Sequence, residues 1–393
     1  MRAAVALIVC CVTTAAAADR PVRKPLSRDE REAVLALMKA VDLAQDTDVL
    51  SPVDLAWGSH VLKSIDLGYV PFRVMLNALP ELPKSAAMYV RVVSRHDGYR
   101  STEEDSAIRE WVLKGTALPP RQQEAVTFAT GELPFGGPAV SSSRQSVSAP
   151  AQASAVLALQ QKQYEKEKAA AEAAKRREEI KQRDPYVYPF EEYYFFDVKS
   201  PRVERAMAVP PGDYDVFVAL VDRARVKTST PTVVRHPISV PDFWNLELRL
   251  SELMFVDDVR TLNAPLAAKD QIEHPYTWGR AAVTPAFKTT FARTDELAVV
   301  YQICNYGAPD TDVTADYNFF WKIGGEWKLF NRTQPQQLDN GDLPGPSGWE
   351  TQGFTMQRVP LQPFTPGEYK LQVVVKDRLT RQTAEQSITF TVK

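Results

Sequence analysis

The chain has 393 residues, with 47 basic and 49 acidic side chains and a formal net charge of −2. That length exceeds one typical domain and suits two or three. The charge balance offers no basic field for a nucleic acid, and no apolar stretch reaches the ~20 residues that a membrane-spanning helix needs.

The N-terminus reads as an export signal over residues 1–18. Arg2 supplies the positive region, Ala3 to Val12 the short apolar region, and Ala16-Ala17-Ala18 the small residues before a cleavage point. The expected compartment is therefore periplasmic or extracellular. Cys10 and Cys11 fall inside this segment, which leaves Cys304 as the single cysteine of the mature chain. One cysteine forms no internal disulfide, so the fold has to be held by its cores.

Residues 19–50 carry one amphipathic helix. Ser27-Arg28-Asp29-Glu30 is a capping box, and Val34, Leu37, Met38 and Val41 follow at helical spacing. Beyond Leu55 the texture is that of strands. Tyr69 to Leu76 reads as one, with Pro71 placing it at an edge or a strand start, and Ala87 to Val93 reads as another. Residues 97–185 break the pattern. They hold a helix over Thr102 to Lys114, a Ser/Ala/Pro/Gln-rich linker, and a charged stretch with favourable Glu172–Arg176 and Glu179–Arg183 spacings. From Tyr186 to the end the chain is β in character, with short aromatic and β-branched runs between Pro and Gly turns.

Two of these runs are copies. Pro211-Gly212-Asp213-Tyr214, ending in Asp222-Arg223, aligns with Pro366-Gly367-Glu368-Tyr369, ending in Asp377-Arg378, at a constant offset. Pro-Gly turns the chain into a strand, and alternation then puts Tyr214, Val216, Val218 and Leu220 on one face. The tyrosine is placed to bury its ring and bond its hydroxyl to nearby backbone, as in a tyrosine corner. We read the repeat as equivalent structural hairpins. The fold expected is mainly β: two Ig-like or fibronectin-like sandwiches, the first over 51–262 and interrupted by a helical or disordered insertion at 97–185, the second over 263–393.

Val240-Pro241-Asp242-Phe243, followed by Leu246, Leu248 and Leu250-Ser251-Glu252-Leu253, resembles secreted proteins of acidobacteria and related bacteria. Some of these carry the run beside helical domains named for a Gly-Trp-x-Thr-Asp motif. Tyr69-Val70-Pro71-Phe72, the run Tyr89 to Val93 and the paired Pro-Gly-x-Tyr hairpins resemble the same group. The resemblance spans residues 55–95 and 190–393. It implies an envelope protein with no known activity, in which strands before residue 95 pair with strands after 186. Gly348-Trp349-Glu350-Thr351-Gln352 ends in Gln, so it is a coincidental echo of that motif.

Chemistry-bearing patterns are sparse. The histidines (His60, His96, His236 and His274) have no metal-ligand spacing, and no nucleophile elbow, phosphate loop or dinucleotide fingerprint occurs. Asp257-Asp258 and Asp310 with Asp312 are candidate paired acids for a glycosidase reading, and they look like turn residues. No residue is therefore assigned to catalysis, a cofactor or a metal. The remaining site-like feature is aromatic density around Gly324-Gly325, with Trp321, Trp327 and Phe330 as a candidate binding patch for a protein or glycan. The function expected is a non-catalytic extracytoplasmic interaction or scaffold protein. A polysaccharide-acting hydrolase or a glycan-binding adhesin with accessory sandwiches is the alternative.

Overall fold

The computed structural model describes residues 26–64, 67–79, 81–95, 109, 112, 188–307, 311–339, 343 and 352–393. The export signal, nearly all of the 97–185 insertion, Asp310 and residues 348–351 lie outside the described residues.

Helix α1 spans Arg28–Thr47. Its start is the capping box: Ser27 Oγ accepts from Glu30 N at 3.3 Å, and Glu30 Oε2 accepts from Ser27 N at 3.0 Å. Asp48 closes it in the left-handed conformation at φ 58. Eight strands follow: β1 Trp57–Ser59, β2 Leu62–Lys63, β3 Gly68–Met75, β4 Ser85–Ser94, β5 Phe190–Asp197, β6 Arg202–Val209, β7 Gly212–Asp222 and β8 Thr232–Val240. They form two sheets. An outer sheet has the order β5-β4-β7-β8, and an inner sheet has β3 between β6 on one side and β1 with β2 on the other. Strands from before residue 95 thus pair with strands from after residue 188.

Twelve more strands make a second pair of sheets: β9 Arg249–Leu250, β10 Met254–Thr261, β11 Thr277–Trp278, β12 Ala281–Pro285, β13 Thr290–Phe291, β14 Glu296–Cys304, β15 Val313–Ile323, β16 Glu326–Arg332, β17 Gln336–Leu338, β18 Gln352–Pro360, β19 Gly367–Asp377 and β20 Gln382–Val392. The inner sheet runs β11-β12-β10-β14-β18 with β9 beside β14. The outer sheet runs β13-β20-β19-β15-β16 with β17 beside β15. The expected boundary at 262/263 falls too late. β9 and β10 both pair with β14, so residues 249–261 belong to the second sandwich.

The layers stack as α1, outer sheet, inner sheet, inner sheet, outer sheet. One core fills the first sandwich and a second core fills the other. Two further clusters complete the stack. The apolar side of α1 covers the outer face of the β4/β7/β8 sheet, and the inner sheets bury Leu62 and Tyr69 against Met254, Val256, Tyr276 and Trp278. Arg91, fully buried, fixes α1 through Asp42 at 2.7 Å and reaches Glu191 on β5 at 3.5 Å. Arg109 bonds the same Asp42, and Val112 is buried in this cluster, so the insertion touches α1 at these two residues. Among the described residues no helix is long and apolar enough to cross a membrane.

Pro71 lies inside β3, not at an edge. Its carbonyl points to the side where β1 gives way to β2, accepting from His60 N at 3.1 Å. The missing proline N–H therefore falls at a break in the ladder, where it costs no strand hydrogen bond.

The two Pro-Gly-x-Tyr copies open β7 and β19. Tyr214 donates to Pro210 O at 2.9 Å and Tyr369 to Thr365 O at 2.8 Å, the same four-residue reach in both. Gly212 and Gly367 share φ values of 155° and 156°, where side chains are rarely tolerated. A Cβ there would meet Tyr214 Oη at 2.8 Å or Trp321 Nε1 at 2.5 Å. Asp222 Oδ1 accepts from Ala224 N at 2.9 Å and Asp377 Oδ1 from Leu379 N at 2.9 Å, so each aspartate shapes the turn after its strand. The arginines differ: Arg223 reaches Glu30 on α1, and Arg378 reaches Asp312. The glycines, tyrosines and aspartates of the repeat thus do turn and packing work in both copies.

The copies also explain the insertion. β4-β7-β8 and β15-β19-β20 are equivalent, with β5 and β16 at the matching edges. The β15–β16 link is the two-glycine turn Gly324-Gly325, at φ 61 and 88. The β4–β5 link, at the same place in the first copy, is residues 95–189.

Two measurements check this architecture. Tyr369→Phe removes the part-buried hydroxyl contacts to Thr365 O and Oγ1 while keeping the ring, and should lower unfolding free energy by about 1 kcal/mol in urea titration. Acid should weaken the junction through His60. Burial, with Arg73 nearby, lowers its pKa from 6.5 to about 3. The unfolded chain then takes up the proton first, so stability falls as pH drops from 6.5 towards 3. His60→Gln should flatten that slope, expected at up to about 1 kcal/mol per pH unit.

Candidate binding face on the second sandwich

The Gly324-Gly325 turn decides which aromatic side chains share a face. Positive φ at both glycines gives a tight hairpin that pairs Lys322 with Trp327, Trp321 with Lys328 and Phe320 with Leu329. Directly opposed residues point to the same side of a sheet. Trp327 therefore sides with Lys322 and Phe320, and Trp321 points the other way.

The three residues expected as one patch are accordingly divided. Trp321 stacks on Tyr369 with ring centroids 6.3 Å apart and an interplanar angle of 13°. Phe330 packs 5.0 Å from Phe364 and 5.4 Å from Tyr369. Both lean on the second core. Only Trp327 stays on the outer surface, beside half-buried Phe320 and Leu329, which is 47 % exposed.

Two cations complete this corner. Lys370 Nζ lies 4.9 Å from the Phe320 ring centroid and 5.5 Å from that of Trp327, and Lys322 Nζ is 5.7 Å from Trp327. Lys322 also pairs with Glu368 at 2.6 Å. The rest of the outer face is mostly polar, carrying Asn318, Gln372, Lys376 and Glu385 around half-buried Val374, with Lys376 bound to Asp316 at 2.8 Å. In the first sandwich the equivalent face is apolar and lies under α1. The second sandwich has no such helix among the described residues, and its one apolar corner sits at the edge strand β16.

The opposed-pair rule makes this face legible in the sequence once Gly324-Gly325 is taken as a two-residue turn. Lys370 is different. It comes from β19, which the β15 pairing Phe320–Lys370 brings alongside.

Other candidate chemistry resolves into local contacts. Asp257 pairs with Lys288 at 3.4 Å and Asp258 with Arg260, while Asp312 and Asp316 face Arg378 and Lys376. Each of these four acids answers to a neighbouring cation. No group of three His, Cys, Asp or Glu side chains is placed to hold a metal among the described residues. Burial pushes the Cys304 thiol up to about 12, so it stays protonated. His274 is exposed, and His236 stacks on Trp57 at 4.8 Å.

No protein-family model matches the chain, and no curated protein matches it. Solved structures resemble parts of it. A Pseudomonas fluorescens alkylpurine DNA glycosylase bound to abasic-site DNA shares 14% identity at a TM-score of 0.18, over 27% of this chain and 28% of that one. A Bacteroides uniformis beta-glucuronidase shares 10% identity at a TM-score of 0.22, over 52% of this chain and 22% of that one. A red sea bream transglutaminase shares 8% identity at a TM-score of 0.19, over 91% of this chain and 34% of that one. Likenesses this slight carry no argument about function. The class that the coordinates define is a mainly-β chain of paired sheets with an N-terminal helix.

The divided patch gives a direct test. Trp327→Ala should shift unfolding free energy by no more than about 0.5 kcal/mol, as surface substitutions do. Trp321→Ala should cost about 3 kcal/mol, as aromatic truncations against a core do. Urea titration of the two variants reads the difference.

Proposed function

We propose that this chain is a non-catalytic, extracytoplasmic interaction protein of the bacterial envelope, and that it binds a protein partner through the Trp327 corner of its second sandwich. One observation carries the reading: an apolar aromatic corner, flanked by two lysines, stands on a mostly polar sheet face beside an edge strand. Aromatic residues next to cations are the composition of protein-contact centres. The lysine ammoniums lie within cation–π distance of both rings, where a sugar would have to stack, which favours a protein over a glycan. The preferred partner presents apolar side chains with carboxylates at their rim. The envelope setting rests on the N-terminal export pattern and on the resemblance to secreted acidobacterial proteins.

In-cell crosslinking followed by capture of the full chain should return one stoichiometric protein partner. Trp327→Ala and Phe320→Ser should each abolish its recovery, and added salt should weaken it. Recovering no protein, alongside glycan-array binding that Trp327→Ala removes, would sink this reading in favour of an adhesin.

A further inference from the structure

A buried lysine amine faces an asparagine amide where the two sandwiches meet. Lys63, in β2 of the first sandwich, has no solvent exposure, and its Nζ donates to Asn305 Oδ1 at 2.6 Å. Asn305 follows the last residue of β14 in the second sandwich, is 2 % exposed, and holds a left-handed φ of 65°. Its amide is fixed from the other side, because Nδ2 donates to Phe243 O at 2.8 Å and to Glu247 O at 2.7 Å. The amide group is thereby held with its oxygen against the lysine amine.

The lysine is held just as firmly. Lys63 N donates to Gln302 Oε1 at 2.7 Å, and Gln302 Nε2 donates back to Lys63 O at 3.0 Å and to Gln352 Oε1 at 2.7 Å. Buried Phe243 and Cys304 line the first core beside this pair. The neutral amine is the nucleophilic form of a lysine side chain. Two reactive groups locked together in a dry site lose little entropy on reacting. Cys304, kept protonated by burial, does not compete for the amide.

We propose that Lys63 and Asn305 join as an intramolecular amide that ties the first sandwich covalently to the second. Nζ attacks Cγ of Asn305, the Nζ–Cγ bond forms, and the Cγ–Nδ2 bond breaks. One proton passes from Nζ to Nδ2, which leaves as ammonia. If the lysine starts as an ammonium, both surplus protons depart with the nitrogen as an ammonium ion. Nothing is oxidised or reduced, and no co-reactant is consumed. The Phe243 and Glu247 carbonyls, already accepting from Nδ2, go on accepting from the leaving nitrogen as it gains protons.

Peptide mapping of the folded full chain decides the matter. Trypsin should fail to cut after Lys63. The peptide holding Lys63 should appear joined to the one holding Asn305, lighter than their sum by one ammonia. Lys63→Arg and Asn305→Ala should each remove the joined species. A protease site engineered at residue 150 adds a second readout: after cleavage, the two fragments should run as one band on a denaturing gel. Separate peptides and separate bands from the unsubstituted side chains would overturn the proposal, leaving a hydrogen bond only. That arm does not depend on either variant folding.

Discussion

The architecture depends on two sheets that are buried on both faces. In an isolated sandwich each sheet has one wet face and a period-two pattern. Here the inner sheets pack on each other, and β3 is buried at every residue but its last. Such a junction has to satisfy its polar groups internally. It does so reciprocally: Tyr69 on β3 donates to Pro275 O at 2.8 Å, and Tyr276 donates to Pro71 O at 3.0 Å. Arg73 lies 4.0 Å over the Phe287 ring, and Val61 N bonds Glu252 at 2.9 Å. These contacts set how the sandwiches face each other, and they bring Lys63 to Asn305.

Duplication then accounts for where the outer surfaces differ. Both copies retain the glycine at φ near 155°, the tyrosine corner and the turn aspartate, because each is forced by local backbone geometry. The copies part company on the solvent side. The first acquired a helix over its outer sheet and a long segment in place of a hairpin turn. The second kept the tight turn and a bare face. The aromatic corner of the second copy stays open because no described element covers it there.

Much of the fold was legible in the chain. The capping box specified the start of α1, since Ser27 and Glu30 satisfy each other within one turn. The repeat specified two equivalent strands, since Pro-Gly and Tyr act over four residues. The candidate face was legible only in part. Aromatic density drew attention to Trp321, Trp327 and Phe330 together, whereas the pairing across Gly324-Gly325 sends Trp321 inward. Lys370 belongs to the corner through β19, a strand far away in sequence.

By itself, then, the sequence determined the local devices: a capped helix, two tyrosine corners, tight turns and the alternation that makes a sandwich face. Their physics acts over a few residues, so their spelling is contiguous. Only the tertiary structure decided what lies on top of each sheet. It moved β9 and β10 into the second sandwich and let Pro71 sit inside a sheet at a break between strands. It also buried a lysine against an asparagine 242 positions away. Those outcomes come from which apolar faces find each other, a choice made between distant segments that no short pattern records.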